Sequence, residues 1–132
     1  LQQNPTGLEQ IEGIGHAYHA FSIEEPHYFD VLTSATTFPS PETEDGQMQA
    51  MEFCRERINK IMVDALDNGL RDGSVSAIQV PDPLQTAFYM QGALHGVIMQ
   101  TRGPKSALST YPDGLQLIRY TIAMLTVSVK AR

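Results

Sequence analysis

Positive charge is missing from the start of the chain: residues 1–54 hold nine acids and no Lys or Arg. The nine basic residues lie from Arg55 onward, spread among six acids and never clustered. A stretch of this kind, in a chain of net charge −6, is not expected to grip a phosphate backbone. Cysteine is scarce too. Cys54 stands alone, which rules out an internal disulfide framework and suits a reducing cytoplasm. No apolar run reaches membrane-spanning length and no basic-then-apolar leader opens the chain, so no membrane partner is expected. The first residue is Leu rather than Met, as in a piece of something longer.

What the chain does have is helical periodicity. At 132 residues it is one domain by length, large enough to bury roughly two-thirds of its unfolded surface. Residues 1–6 read as a polar connector. Over 7–22, Ile11, Ile14, Gly15, Tyr18 and Phe21 recur at helical spacing with Ala17 beside them, opposite Glu9, Glu12, His16 and His19. Glu24-Glu25-Pro26 then starts a short second helix, with Pro26 near its first position and acids at its positive end. Tyr28, Val31, Leu32 and Ala35 make its stripe, and Phe29 sits off it, towards a neighbour. Residues 36–46, TTFPSPETEDG, form a loop. A long helix over 47–68 carries Met48, Met51, Cys54, Ile58, Met62 and Ala65, with a Glu56–Lys60 surface pair. Gly69 is placed to stop it in the left-handed conformation. Residues 70–81 connect onward, apolar at Val75, Ile78 and Val80.

Residues 82–101, DPLQTAFYMQGALHGVIMQT, carry no charged side chain between Asp82 and Arg102. Asp82 serves as N-cap and Pro83 as first helical residue. Ala87, Met90, Leu94, Val97 and Ile98 form one apolar arc; Tyr89, Gly92, Ala93 and Gly96 form a small-residue arc on the far side. A helix without charge around its circumference is covered by protein on both faces. Gly92 and Gly96 each cost ~1 kcal/mol relative to Ala in a helix interior, which asks for a close helix crossing. After a loop over 102–109, a last helix begins at Thr110 with Asp113 as capping-box partner. One of its faces is Leu115, Ile118, Ile122, Leu125 and Val129; the other is Leu117, Tyr120, Met124, Val127 and Ala131. The pattern predicts an all-α helical bundle of about five to six helices. Its last two helices pair with those of a second subunit in an intermolecular four-helix bundle.

Candidate chemistry is sparse. His16 and His19 share a face with Glu9 and Glu12 at metal-ligand spacing, yet local spacing dictates no third ligand, and such a face is usually solvated surface. His95 is a polar group in an apolar helix, able to bond a ligand or a backbone carbonyl. Six methionines with Tyr18, Phe21 and Phe88 make an adaptable interior, suited to plain core or to a pocket for apolar molecules. Cys54 reads as a small buried hydrophobe. No nucleophile–base pair, phosphate-cradling loop or paired catalytic carboxylates stand out, so neither enzyme activity nor a cofactor is expected.

Three blocks, AYHAFSIEEPHYFDVL, IMVDALDNGLRDGSV and DPLQTAFYMQGALHGVI, resemble in order and spacing the C-terminal domain of the tetracycline-repressor (TetR) family of transcriptional regulators. The third is similar to the interface helix of a subgroup marked by Trp-His-Gly; His95 and Gly96 match, and Leu94 replaces the tryptophan. The resemblance implies an effector-binding, homodimerising domain of a cytoplasmic regulator, a repressor, whose helix-turn-helix DNA-binding domain lies ahead of Leu1. On these terms a small apolar or aromatic ligand meets Tyr18, Phe21, Met51, Cys54, Ile58, Phe88, Gln91 and His95. Tyr89, Gly92, Gly96, Leu117, Tyr120 and Met124 meet the second subunit. Two other readings are open: a metal-dependent helical-bundle enzyme using His16, His19, His27 or His95, and a dimerisation module without a ligand.

Overall fold

The computed structural model describes residues 4–30, 45–102 and 113–132, the side chains of 45–55 excepted. Met48, Met51 and Cys54 as side chains, Val31, Leu32 and Ala35, most of the 36–46 loop and Thr110 lie outside the described residues. The chain is an all-α helical bundle. Its long helices are α1 (Gly7–Glu24), α2 (Asp45–Asp72), α3 (Pro83–Arg102) and α4 (Gly114–Val129), with a further helical stretch over residues 26–30. Each long helix packs against two neighbours in the cyclic order α1, α2, α3, α4, so four apolar stripes face one another.

The α1 start is fixed locally and at long range. Thr6 and Glu9 form a reciprocal capping box, the Thr6 hydroxyl accepting from the Glu9 N–H at 3.1 Å. From the far end of α2, Asp72 accepts the Gly7 N–H at 2.8 Å and the Ser74 hydroxyl accepts the Leu8 N–H at 3.1 Å. These bonds satisfy α1 donors that have no partner inside the helix. They require the two backbones to approach closely, and two glycines permit it. A Cβ on Gly7 would stand 2.0 Å from the Gly69 nitrogen.

Gly69 therefore does not end α2. It lies inside the helix as a contact surface, and the helix runs on to Asp72, where Gly73 takes the left-handed conformation at φ +84°. The expected Glu56–Lys60 pair also gives way, since Lys60 bonds Asp64 at 3.0 Å. In the connector Val75 and Val80 are buried, but Ile78 is 89% exposed. Ser76 donates to the Val129 carbonyl at 2.8 Å, and Ala131 donates to the Ser74 carbonyl at 3.0 Å. The connector thus clasps the end of α4.

Asp82 caps α3 as its sequence predicts, accepting the Leu84 N–H at 3.1 Å. For α4 the N-cap is Asp113 itself, without a side-chain cap bond, and the described helix begins at Gly114. The core has two connected parts. One gathers Ile11, Ala65, Leu66, Val75, Val80, Ala87, Met90 and Val129; the other gathers Phe29, Leu94, Ile98, Ile118 and Ile122. Tyr28 is exposed and Phe29 is fully buried, so residues 26–30 turn Phe29 to the core and Tyr28, expected on the stripe, to solvent. Ala17, expected beside the α1 stripe, is exposed as well.

Candidate ligand cavity and outer face

Four stripes of unequal side chains do not fill the space between them. α1 contributes Ile11, Ile14, Gly15 and Tyr18, and α2 contributes Ile58, Asn59 and Met62. α3 adds Ala87, Met90, Gln91 and Leu94, and α4 adds Ile122, Leu125 and Thr126. Together they enclose a cavity of about 40 Å³ in which a water-sized sphere can be centred, widening to about 510 Å³ of empty space when its mouth is included. Its walls are almost entirely carbon, and no charged side chain is among the described lining residues. Gly15 keeps its part of the wall thin; a Cβ there would lie 3.2 Å from Ile122.

The polar atoms converge near Tyr18. Burial pushes the Tyr18 phenol up to about 12, against the opposing pull of the Gln91 side chain and the Arg102 charge, so it stays neutral throughout the physiological range. Behind it the hydroxyl lies 3.4 Å from His95 Nδ1. Tyr18 also packs edge-on against Phe29, at 5.3 Å between centroids, and His95 covers the same ring at 5.4 Å. Burial, then the nearby Arg102 charge, holds the His95 pKa below its usual value. Arg102 closes this cluster: its guanidinium lies 4.8 Å from the Phe29 centroid, donates to the Ser22 carbonyl at 2.8 Å and pairs with Asp30.

Of the ligand residues expected from sequence, Tyr18, Ile58 and Gln91 line the cavity together. His95 and Phe21 stand one layer away, in the Phe29 cluster. Phe88 is 54% exposed and points away from the cavity. Met51 and Cys54 lie outside the described side chains. Ile11, Ile14, Met62, Met90, Leu94, Ile122 and Leu125 were legible as core stripe, but a stripe does not say where packing leaves a gap. Asn59 had no signal beyond being polar.

The expected dimer residues share a different place. Tyr89, Gly92 and Gly96 lie on the outer face of α3, and Tyr120 and Met124 on the outer face of α4; all are exposed, with Leu117 half-buried at the edge. Met99 and Val127 extend these faces, and no charged residue interrupts either one. Open space surrounds the Cβ positions of both glycines.

The histidines do not converge. His16 faces Glu12 at 3.8 Å on the surface, and His27 is exposed against Tyr28. His19 is held below its usual pKa, first by burial and then by His16 and Arg119. His95 lies in the Phe29 cluster. Among the described residues no three His, Cys, Asp or Glu side chains come together as a metal site. No described helix is long and apolar enough to cross a membrane. No family model matches the chain, and no curated protein or solved structure matches it.

Proposed function

We propose that this domain is the effector-sensing and homodimerising part of a TetR-like transcriptional regulator, a repressor whose DNA contacts are made by a helix-turn-helix domain ahead of Leu1. The observation that carries this reading is the division of labour on α3. Its inner face walls an apolar cavity, and its outer face offers Tyr89, Gly92 and Gly96 without a charge. A ligand in the cavity and a second subunit on the outside then bear on one helix. A small apolar or aromatic molecule that prefers one arrangement of α1 against α3 shifts how two subunits hold their DNA-binding domains. DNA affinity changes by coupling energy between distant sites, not by blockage.

Sedimentation velocity tests the dimer. The wild-type chain is expected to sediment as a dimer, and Gly96→Leu or Met124→Glu as monomer with unchanged helix content. A wild-type monomer, or variants that stay dimeric, refutes the assignment of the outer face. A thermal-shift panel of apolar compounds tests the cavity, because ligand at 100 times its Kd adds about 2.7 kcal/mol of stability.

A further inference from the structure

We propose that His95 makes the seat of residues 26–30 sensitive to acid: a neutral imidazole keeps Phe29 closed into the bundle, and a proton on His95 opens that segment from α3.

Phe29, fully buried, anchors the segment. From α1 its ring takes Tyr18 and Phe21 edge-on, at 5.3 and 6.1 Å between centroids. From α3 it takes the His95 imidazole at 5.4 Å and the Arg102 guanidinium at 4.8 Å. Of these four neighbours only His95 changes charge between pH 5 and 8. Tyr18 stays a neutral phenol, and Arg102 stays a cation.

A proton on His95 alters two contacts at once. Neutral His95 turns Nδ1 to the Tyr18 hydroxyl at 3.4 Å, where its lone pair can accept. Protonated, both ring nitrogens are donors, so that contact must reverse or part. The second change is a second cation on a ring that already holds Arg102. Arg102 cannot move aside without giving up the Ser22 carbonyl at 2.8 Å and its pair with Asp30. The attraction of the Phe29 face for a cation is opposed by that repulsion and by the half-buried imidazole's lost hydration.

The charges that face His95 are Arg102 on α3 itself and Asp30 on residues 26–30. α1 presents the neutral Tyr18, α2 brings Ile58 and Asn59 to Tyr18 and Gln91, and α4 brings Ile118 and Ile122 to the Phe29 cluster. Arg119 of α4 acts on His19 instead. Burial first, then Arg102, hold the His95 pKa down against the pull of Asp30. The closed seat is therefore complete above the free-histidine value near ~6.5 and weakens as pH falls below it.

Nuclear magnetic resonance on the full chain between pH 8 and 5 tests this. A His27→Gln background is used, because exposed His27 lies within the segment and its own proton would register there. The His95 ring signal is expected to titrate below ~6.5. Protection of the Phe29 amide, which donates to the Glu25 carbonyl at 2.9 Å, is expected to fall ~threefold or more at the same midpoint, after correction for intrinsic exchange. His95→Gln, polar but without a titrating group, should remove that step, and Arg102→Gln should raise the His95 midpoint. A His95 midpoint at or above ~6.5, or a Phe29 amide without a step there, overturns the proposal. So does a step that survives His95→Gln, or a midpoint that Arg102→Gln leaves in place. The first two readings are made with His95 and Arg102 intact, so they decide the matter even where a variant fails to fold.

Discussion

Gly7→Ala tests the tightest contact in the fold. The added Cβ would lie 2.0 Å from the Gly69 nitrogen, 2.3 Å from its Cα and 2.5 Å from the Ala65 carbonyl oxygen. All three are backbone atoms, so no rotamer change relieves them. The α1 start must withdraw by about 1.4 Å to reach ordinary contact distance. That movement breaks the 2.8 Å bond from the Gly7 N–H to Asp72 and the 3.1 Å bond from the Leu8 N–H to Ser74. Overpacking against rigid backbone costs about 1–3 kcal/mol, and helix propensity returns at most ~1 kcal/mol. A net loss of about 2 kcal/mol from the clash alone follows, which for a domain of this length lowers Tm by roughly 8 °C. Gly13→Ala is the control, because nothing lies within 4 Å of its Cβ position; it should gain ~0.5–1 kcal/mol. Gly69→Ala first meets the Val75 side chain at 2.2 Å and should fall between. Urea titrations followed by circular dichroism rank the three. Gly7→Ala as stable as Gly13→Ala would refute the crossing.

Two further outcomes follow from the same geometry. Hydrogen bonds from the Ser74 hydroxyl, the Gly7 N–H and the Ser74 N–H hold the Asp72 carboxyl below its usual pKa. Its stabilising effect is therefore complete above the unfolded value near ~4 and is lost as pH falls through that value towards the folded one. Denaturant midpoints at pH 5 and pH 3 should diverge more for wild type than for Asp72→Asn, and equal divergence would show that another group governs the acid limb. Arg102→Gln removes the cation over Phe29 and the Asp30 pair, a loss of about 1–2 kcal/mol. Hydrogen exchange should quicken at residues 26–30 and leave the α1–α2 crossing protected; uniform quickening would count against a local clamp.

Much of the fold was legible because buried stripes repeat at helical spacing. Ile11, Ile58, Met90 and Ile122 each sit where periodicity puts them, and Asp82-Pro83 marks its helix start from sequence alone. Other features depend on partners distant in sequence. Gly69 and Gly73 are equally plausible helix ends locally, and only the arrival of Gly7 makes the first a packing surface and the second a stop. Tyr28 and Phe29 differ by one position on the same helical stretch, and the Tyr18 and Phe21 rings decide which turns inward. The Thr6–Glu9 capping box was present in the sequence, but residues 1–6 read as connector because their polarity outweighed the pattern. The uncharged outer faces of α3 and α4 were legible because charge is simply absent there. A cavity is a shortfall of volume among four helices, which no single stripe encodes.

Ser74 gives the bundle a property of closure. Its hydroxyl accepts from Leu8 and its carbonyl accepts from Ala131, so the chain leaves this residue's side at one end and returns to it at the other. Topologically the four helices form a ring with its seam at Ser74. Unseating that one residue would loosen the first turn of α1 and the residues after α4 together, although they lie more than a hundred positions apart in the chain.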